Sequence, residues 1–271
     1  MTIKLIAIDM DGTLLNNEKR VTRENKEALW AAHEAGIQIV LCTGRPTPGV
    51  IDYLEELGLD KADDYIITYN GALVQNIHTR SVLVDYTMTY EDYMEIEQAV
   101  SKAGAHFHAI HDNKLFTPNK DISPYSVRES FLSNVPISYR TPEEMDASAH
   151  FNKMMMIDDP AVLDAAIPRL PEELWEKYTI LRSEPFFLEF LNKQASKGNA
   201  VKALAEQLGV AREEVMTIGD GANDTDMIAY AGLGVAMENA VDEVKDAADV
   251  ITRSNADDGV AHAIYTYALK G

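Results

Sequence analysis

The chain has 271 residues, 46% of them hydrophobic, enough for one large or two ordinary cores. Its 24 Lys and Arg against 44 Asp and Glu give a formal net charge of −20, which repels polyanions and argues against a nucleic-acid partner. No apolar run reaches the roughly 18 residues of a membrane span, the start lacks a signal-peptide layout, and the single Cys42 excludes an intrachain disulfide or a cysteine-based metal site, so a cytoplasmic globular protein is expected.

In chain order, the short apolar run Ile3 to Ile8 stops at Asp9-Met10-Asp11-Gly12-Thr13, which predicts a buried strand delivering a polar loop. Thr22 is an N-cap candidate for a helix ending near Gly36. A second buried strand, Ile37 to Cys42, ends in Thr43-Gly44-Arg45-Pro46, and Cys42 reads as a buried strand thiol. A helical stretch through Tyr53 and Leu57 follows, then the strand Tyr65 to Thr68 and a turn at Asn70-Gly71. This βαβα beginning predicts a parallel sheet with crossover helices.

The rhythm then changes. Strands are expected at Ser81 to Asp85, His106 to Ile110, Lys114 to Thr117, Lys153 to Ile157, Tyr178 to Arg182 and Phe186 to Leu191. Helices are expected at Glu91 to Lys102, Pro124 to Phe131 and Ala161 to Leu170, and the mixture reads as a separate α+β unit. From Lys197 the α/β rhythm returns: helix Gly198 to Leu208, strand Val215 to Ile218, the loop Gly219-Asp220-Gly221-Ala222-Asn223-Asp224, a helix through Tyr230, and short strands at Leu233 to Met237 and Asp249 to Thr252. The expected architecture is α/β: a Rossmann-like three-layer core with a parallel sheet, discontinuous over 1–80 and 193–271, carrying an inserted α+β cap domain at 81–192.

In a parallel α/β sheet the carboxyl ends of the strands share one edge, where ligands bind. Asp9, Asp11, Thr43, Asp220, Asn223 and Asp224 all fall at such ends. A carboxylate bound to a metal can attack phosphorus in line, and a second carboxyl two residues on can give and take protons. Hard oxygen ligands without His or Cys favour Mg²⁺.

Asp9-Met10-Asp11-Gly12-Thr13, Thr43-Gly44-Arg45, Lys197 and Gly219-Asp220-x-x-Asn223-Asp224 resemble, in order and spacing, the four motifs of the haloacid dehalogenase superfamily. The opening Ile-Asp-Met-Asp-Gly-Thr-Leu-Leu, Thr-Tyr-Asn-Gly-Ala at 68–72, the large insertion between the second and third motifs and Gly-Val-Ala-Met at 234–237 are most similar to the Cof-type phosphatases, in their YidA-like sugar-phosphatase branch. The resemblance implies a Mg²⁺-dependent phosphatase of small phosphorylated metabolites, sugar phosphates among them. Asp9 would be nucleophile and metal ligand, forming an aspartyl-phosphate. Asp11 would be the general acid and base, with its backbone carbonyl on the metal, and Asp220 would complete the protein ligands. Thr43, Lys197, Asn223 and the amides near Met10 and Gly44 would hold the phosphoryl oxygens, while Asp224 would orient a metal-bound water or Lys197.

The inserted unit would be a cap that shapes the leaving-group pocket. His106 and His108 would share a strand face and, with His111-Asp112 close by, could meet a hydroxyl-rich leaving group or, alternatively, bind zinc. Tyr125, Arg128 and Glu184 are further candidates for sugar contacts, and Arg45 and Asn70 are candidates on the substrate side of the core. Two other functions fit the same residues: a sugar phosphomutase, and a non-catalytic phospho-sensing regulator akin to a receiver domain. The position of the insertion argues against the first, and Asp11, which promotes turnover, against the second.

Overall fold

A computed structural model of the protein describes residues 2–269. In chain order it contains β1 (Leu5–Ile8), α1 (Arg23–Glu34), β2 (Gln38–Cys42), α2 (Ile51–Leu57), β3 (Tyr65–Thr68), β4 (Leu73–Asn76) and β5 (Val82–Asp85). There follow α3 (Tyr90–Ala103), β6 (His106–His111), β7 (Lys114–Thr117), α4 (Pro124–Leu132), β8 (Ile137–Tyr139), β9 (Lys153–Ile157), α5 (Pro160–Ala166), α6 (Glu172–Lys177), β10 (Tyr178–Glu184) and β11 (Phe187–Asn192). The chain ends through α7 (Lys197–Leu208), β12 (Val215–Gly219), α8 (Thr225–Tyr230), β13 (Leu233–Ala236), α9 (Asp242–Ala247), β14 (Val250–Ile251) and α10 (Gly259–Ala263). It divides into two compact units. The first holds the residues up to Gly44, Asp52–Val84 and those from Ser196 onward; the second holds Arg45–Ile51 and Asp85–Ala195.

The first unit is built on an eight-stranded sheet of order β14-β13-β12-β1-β2-β3-β4-β5. Its pairs from β14 through β3 are parallel, and β3 with β4 is antiparallel. Every residue of β1 is buried, as expected of a strand covered on both faces. The chain leaves β1 for β2 on one side and returns to β12 on the other, so the ends of β12, β1 and β2 lie side by side at the switch in strand order.

The insertion is expected to start with the strand Ser81 to Asp85, whereas β5 is the edge strand of the large sheet. The unforeseen β4 explains the shift. Tyr69, Asn70 and Gly71 all have positive φ, at 53°, 54° and 90°, a tight reversal that sends the chain back antiparallel to β3 and keeps the next strands in the same sheet. The chain therefore crosses between units after residues 44, 51, 84 and 195, and not only near Ser81 and Asn192.

The second unit has a six-stranded sheet of order β10-β11-β9-β6-β7-β8, antiparallel except for the parallel pair β7 and β8. One face carries the apolar core, in which Phe107, Ala109, Met154, Met156, Leu188 and Phe190 pack with Tyr93, Ile96 and Val100 of α3 and Leu163 of α5. The opposite face includes Met155, Ile157 and Phe187, packed with Tyr125 and Phe186. The run Met154 to Met156 is thus buried strand, as its sequence suggested. The helix expected over 161–170 ends at Ala166 and passes into a short 3-10 turn, Ile167–Arg169, where Pro168 lacks the amide that a continuous helix needs; α6, beyond Pro171, is a further helix that the expectation did not include.

Candidate active site

The site lies in the first unit and begins where β1 ends. Asp9 is buried, and its amide donates to Ile218 O at 3.0 Å, tying the loop to β12. The carbonyl of Met10 accepts from the amides of Thr13 (3.4 Å) and Leu15 (2.9 Å), which folds residues 10–15 into a tight turn. Gly12 makes this turn fit: its φ is +89°, and a Cβ there would come within 2.3 Å of Asp220 Oδ2.

Lys197 is the first residue of α7, because the side chain of Ser196 caps that helix by accepting from Asn199 N at 3.1 Å. Its ammonium is fully enclosed and donates to Asp9 Oδ1 at 2.6 Å and Asp224 Oδ1 at 2.5 Å. The second oxygen of Asp224 accepts from the amides of Asp220 (2.9 Å) and Gly221 (3.0 Å). Thr13 Oγ1 donates to Asp220 Oδ1 at 2.8 Å. Carboxylate oxygens of Asp9, Asp220 and Asp224 lie within 4.8 Å of one another, close enough to share a metal ion, and no histidine belongs to that group.

The phosphate-side candidates gather at the same edge. Thr43 is buried at the end of β2, its amide donating to Ile67 O (2.9 Å) and its carbonyl accepting from Asn70 N (3.0 Å). Asn223 Nδ2 donates to Asn70 Oδ1 at 2.8 Å, and a Cβ on Gly44 would come 2.9 Å from that oxygen. The turn bearing Asn70 reaches α7 because a Cβ on Gly71 would collide with the Ser196 carbonyl at 2.1 Å. Asp11 stands apart from the carboxylate cluster, its Oδ1 accepting from Lys19 Nζ at 2.7 Å in a part-exposed ion pair.

Three carboxylates around one ammonium leave the site over-supplied with negative charge. Burial, reinforced by the charge of Asp224 and opposed by Lys197, raises the Asp9 carboxyl well above its usual range. Burial also raises Asp220 to about 6, against the Thr13 hydrogen bond and with the charge of Asp224. Burial would push the Lys197 ammonium down, but the charges of Asp224 and Asp9 hold it well above its ordinary value, so it stays protonated. Burial raises the Cys42 thiol, which fits an inert strand side chain.

The candidates in the second unit have other partners. His106 Nδ1 lies 2.7 Å from Asp158 Oδ2. His108 is completely enclosed, with Nδ1 3.0 Å from Ser126 Oγ and Nε2 3.1 Å from Met155 Sδ, and burial lowers its pKa to about 3. The two histidines do share a face of β6, opposite Met155 and Ile157 of β9, but His108 offers no surface to a leaving group. His111 Nδ1 is 2.7 Å from His150 O. Tyr125 stacks on Phe186 with centroids 4.7 Å apart, Arg128 lies over the Phe186 ring, Glu184 is exposed at the end of β10, and Arg45 donates to Gly49 O at 3.3 Å.

Thr13, Lys19 and Asn239, to which the motifs assign no role, also touch the site. Thr13 sits inside a quoted motif and could have been found there. Asn239 donates to Gly12 O at 2.8 Å across 227 residues, for which a single sequence has no signal.

A Rossmann-like sheet with this carboxylate and lysine constellation at its switch point fits the class of proteins that move phosphoryl groups. The chain belongs to the haloacid dehalogenase-like hydrolase family, whose model matches residues 6–264. It is 49% identical over 266 residues to YxeH of Bacillus subtilis, provisionally named a phosphatase, covering 98% of each chain. It is 33% identical over 268 residues to YcsE of the same organism, named a 5-amino-6-(5-phospho-D-ribitylamino)uracil phosphatase, covering 98% of this chain and 96% of that one. Among solved structures it resembles a haloacid dehalogenase-like hydrolase from Bacteroides thetaiotaomicron (TM-score 0.87, 34% identity, 97% and 99% of the two chains). It also resembles BT4131, described as a subclass IIB sugar phosphatase (TM-score 0.80, 28% identity, 97% and 98%). These relationships make the chain a phosphatase within its family. Among the described residues no helix is long and apolar enough to cross a membrane.

Proposed function

We propose that the protein is a cytoplasmic, Mg²⁺-dependent phosphatase that cleaves phosphate monoesters of small polyhydroxylated metabolites, sugar phosphates in particular, through an aspartyl-phosphate on Asp9. The observation that carries this reading is the buried Asp9 carboxylate, held at one oxygen by Lys197 and set beside Asp220 in a cluster with more negative charge than its one ammonium can balance.

A divalent cation fits that excess. The donors are all oxygen, which suits Mg²⁺, and burial together with the charge of Asp224 raises the carboxyls of both Asp9 and Asp220, a shift that a neighbouring cation would oppose. Asp9, Asp220 and the backbone carbonyl of Asp11 would hold the ion. Asp224 is better suited to positioning, since one of its oxygens takes the Lys197 proton donor and the other two amides. Bound there, the cation would neutralise the carboxylates and draw a phosphoryl oxygen toward Asp9.

The chain's own residues supply the rest. An Asp9 carboxylate oxygen attacks phosphorus as the bond to the leaving oxygen breaks, and Asp11 gives that oxygen its proton. Asp11 then takes a proton from a water that attacks phosphorus, releasing inorganic phosphate and restoring the Asp9 carboxylate. Lys197, Thr43, Asn223 and the amides near Met10 and Gly44 hold the phosphoryl oxygens while their charge redistributes.

The sugar phosphatase fold neighbour and the ribityl-phosphate phosphatase relative both point to a phosphate ester on a polyol chain. The test is phosphate release from a panel of such esters, with Mg²⁺ or EDTA, for the native chain and Asp9→Asn. Release that needs Mg²⁺ and is lost in Asp9→Asn is expected. Release that survives EDTA, or that Asp9→Asn retains, would overturn the mechanism; interconversion of isomeric sugar phosphates without net release would identify a mutase.

A further inference from the structure

We propose that Asn239 is a positioning residue that sets the Asp220 carboxylate for cation binding and, through the Gly12 carbonyl, holds the loop that carries Asp9 and Asp11, an inference that rests on the Mg²⁺ reading above. Asn239 lies in the loop after β13, and that loop is fastened to the end of β12 by two main-chain bonds: Met237 N donates to Gly219 O and Val241 N to Asp220 O, each at 3.0 Å. From this base the Asn239 side chain reaches across to the first loop. Its Nδ2 donates to Gly12 O at 2.8 Å and lies 3.4 Å from Asp220 Oδ2, while its Oδ1 accepts from Asn255 N at 2.9 Å.

Asn255 extends the brace, its Nδ2 donating to Leu15 O at 2.9 Å. Asp220 is therefore addressed from two sides: Thr13 holds Oδ1, and Asn239 with the bare Cα of Gly12 bounds Oδ2. Both side-chain donors are neutral. They fix the plane of the carboxylate without cancelling the charge a cation needs, which is how outer partners of metal ligands raise affinity.

Asn239 is exposed, so removing its side chain opens no cavity in the core. An exposed residue whose polar atoms all turn inward to the loops bearing the cation ligands is placed for function more than for packing. This separates the two roles experimentally.

The test is titration calorimetry of the metal-free native chain, Asn239→Ala and Asn239→Leu with Mg²⁺, together with their metal-free melting temperatures and the Mg²⁺ concentration for half-maximal phosphate release. Leu keeps the branching of Asn at Cγ, is somewhat bulkier, and loses its hydrogen bonds. Both variants should bind Mg²⁺ about 10-fold more weakly or worse, melt within about 3 °C of the native chain as expected of surface changes, and regain most of kcat at saturating Mg²⁺. Native affinity in either variant would overturn the proposal, as would a large fall in metal-free melting temperature accompanying the weaker binding. A native chain that binds no Mg²⁺ would instead remove the reading on which the proposal rests.

Discussion

Each unit of this protein buries a cluster of carboxylates around one lysine, and the two clusters differ in the way that separates a support from a site. In the second unit Lys153 donates to Glu129 at 3.2 Å and Glu189 at 3.3 Å, and Glu189 also accepts from Ser183 Oγ at 2.7 Å. There the pairing outweighs burial: although desolvation acts the other way, the Lys153 charge keeps the Glu129 carboxyl below its usual range. In the first unit the single ammonium of Lys197 faces three carboxylates, and Asp9 and Asp220 are pushed up. A buried charge cluster left unbalanced by its own chain marks where an outside charge belongs.

Breaking the first cluster should cost activity and gain stability. Asp9→Asn should lower kcat by at least about 10⁴-fold if Asp9 is the nucleophile, while the metal-free protein melts higher because one buried negative charge is gone. Single-turnover phosphate release and calorimetric melting of the same preparation check both. A variant that loses stability along with activity would mean that the Asp9–Lys197 pair is structural, as in the other cluster.

Breaking the second cluster should do the reverse. Lys153→Met leaves two buried carboxylates without their cation and should destabilise the protein by about 3–5 kcal/mol, read from urea unfolding. Adding Glu129→Gln and Glu189→Gln should recover much of the loss, since an apolar or neutral replacement of a whole buried ion cluster is often tolerated. A loss below about 1 kcal/mol for Lys153→Met would remove the contrast drawn between the two units.

The clusters were unequally legible in the sequence. Asp9 and Thr43 directly follow apolar runs and Asp220 follows the mostly apolar Val-Met-Thr-Ile-Gly, so strand ends could be found and their residues brought to one edge from topology alone. Lys197 needed the motif order. Lys153 was hidden because it opens the run Lys-Met-Met-Met-Ile, read as buried strand, and its partners lie 24 and 36 residues away on α4 and β11. His108 alternates correctly on β6, but strand alternation tells which face a side chain takes and not whether a helix such as α4 will cover it. β4 and β5 were misassigned or missed because three consecutive positive-φ residues, two of them not glycine, leave little trace in composition.

The two units should also respond to acid with opposite signs. His108 has its folded pKa lowered to about 3 by burial, so the unfolded chain takes up this proton first. Its contribution is fully present above the unfolded value near 6.5 and is lost as pH falls toward 3, on the order of 2 kcal/mol by pH 5. Asp220, raised to about 6, binds its proton more tightly when folded, so metal-free stability from this site falls as pH rises through the range between about 4 and 6. Mg²⁺ should accordingly raise the melting temperature more at pH 8 than at pH 5, where protons compete for the same oxygens. His108→Gln should flatten the acid slope without changing the Mg²⁺ response; a slope identical to that of the native chain would show that His108 does not govern it.

The smallest effect is expected at Lys19, where an exposed ion pair meets the proposed acid and base. Lys19 and Asp11 are 2.7 Å apart with side-chain exposures of 59% and 38%, a setting in which solvent screening leaves an ion pair little worth. Lys19→Met should therefore leave melting essentially unchanged. Its kinetic effect should still exceed its thermal one, because the pair sets the resting direction of the Asp11 carboxyl and Asp11 must turn to the leaving oxygen. A two- to fivefold change in kcat, about 1 kcal/mol or less in the barrier, with KM nearly constant, is the expected result. A loss beyond about 20-fold would mean that the lysine itself touches the reacting groups, and the excess of negative charge assigned to the first cluster would then have a second cation to answer it.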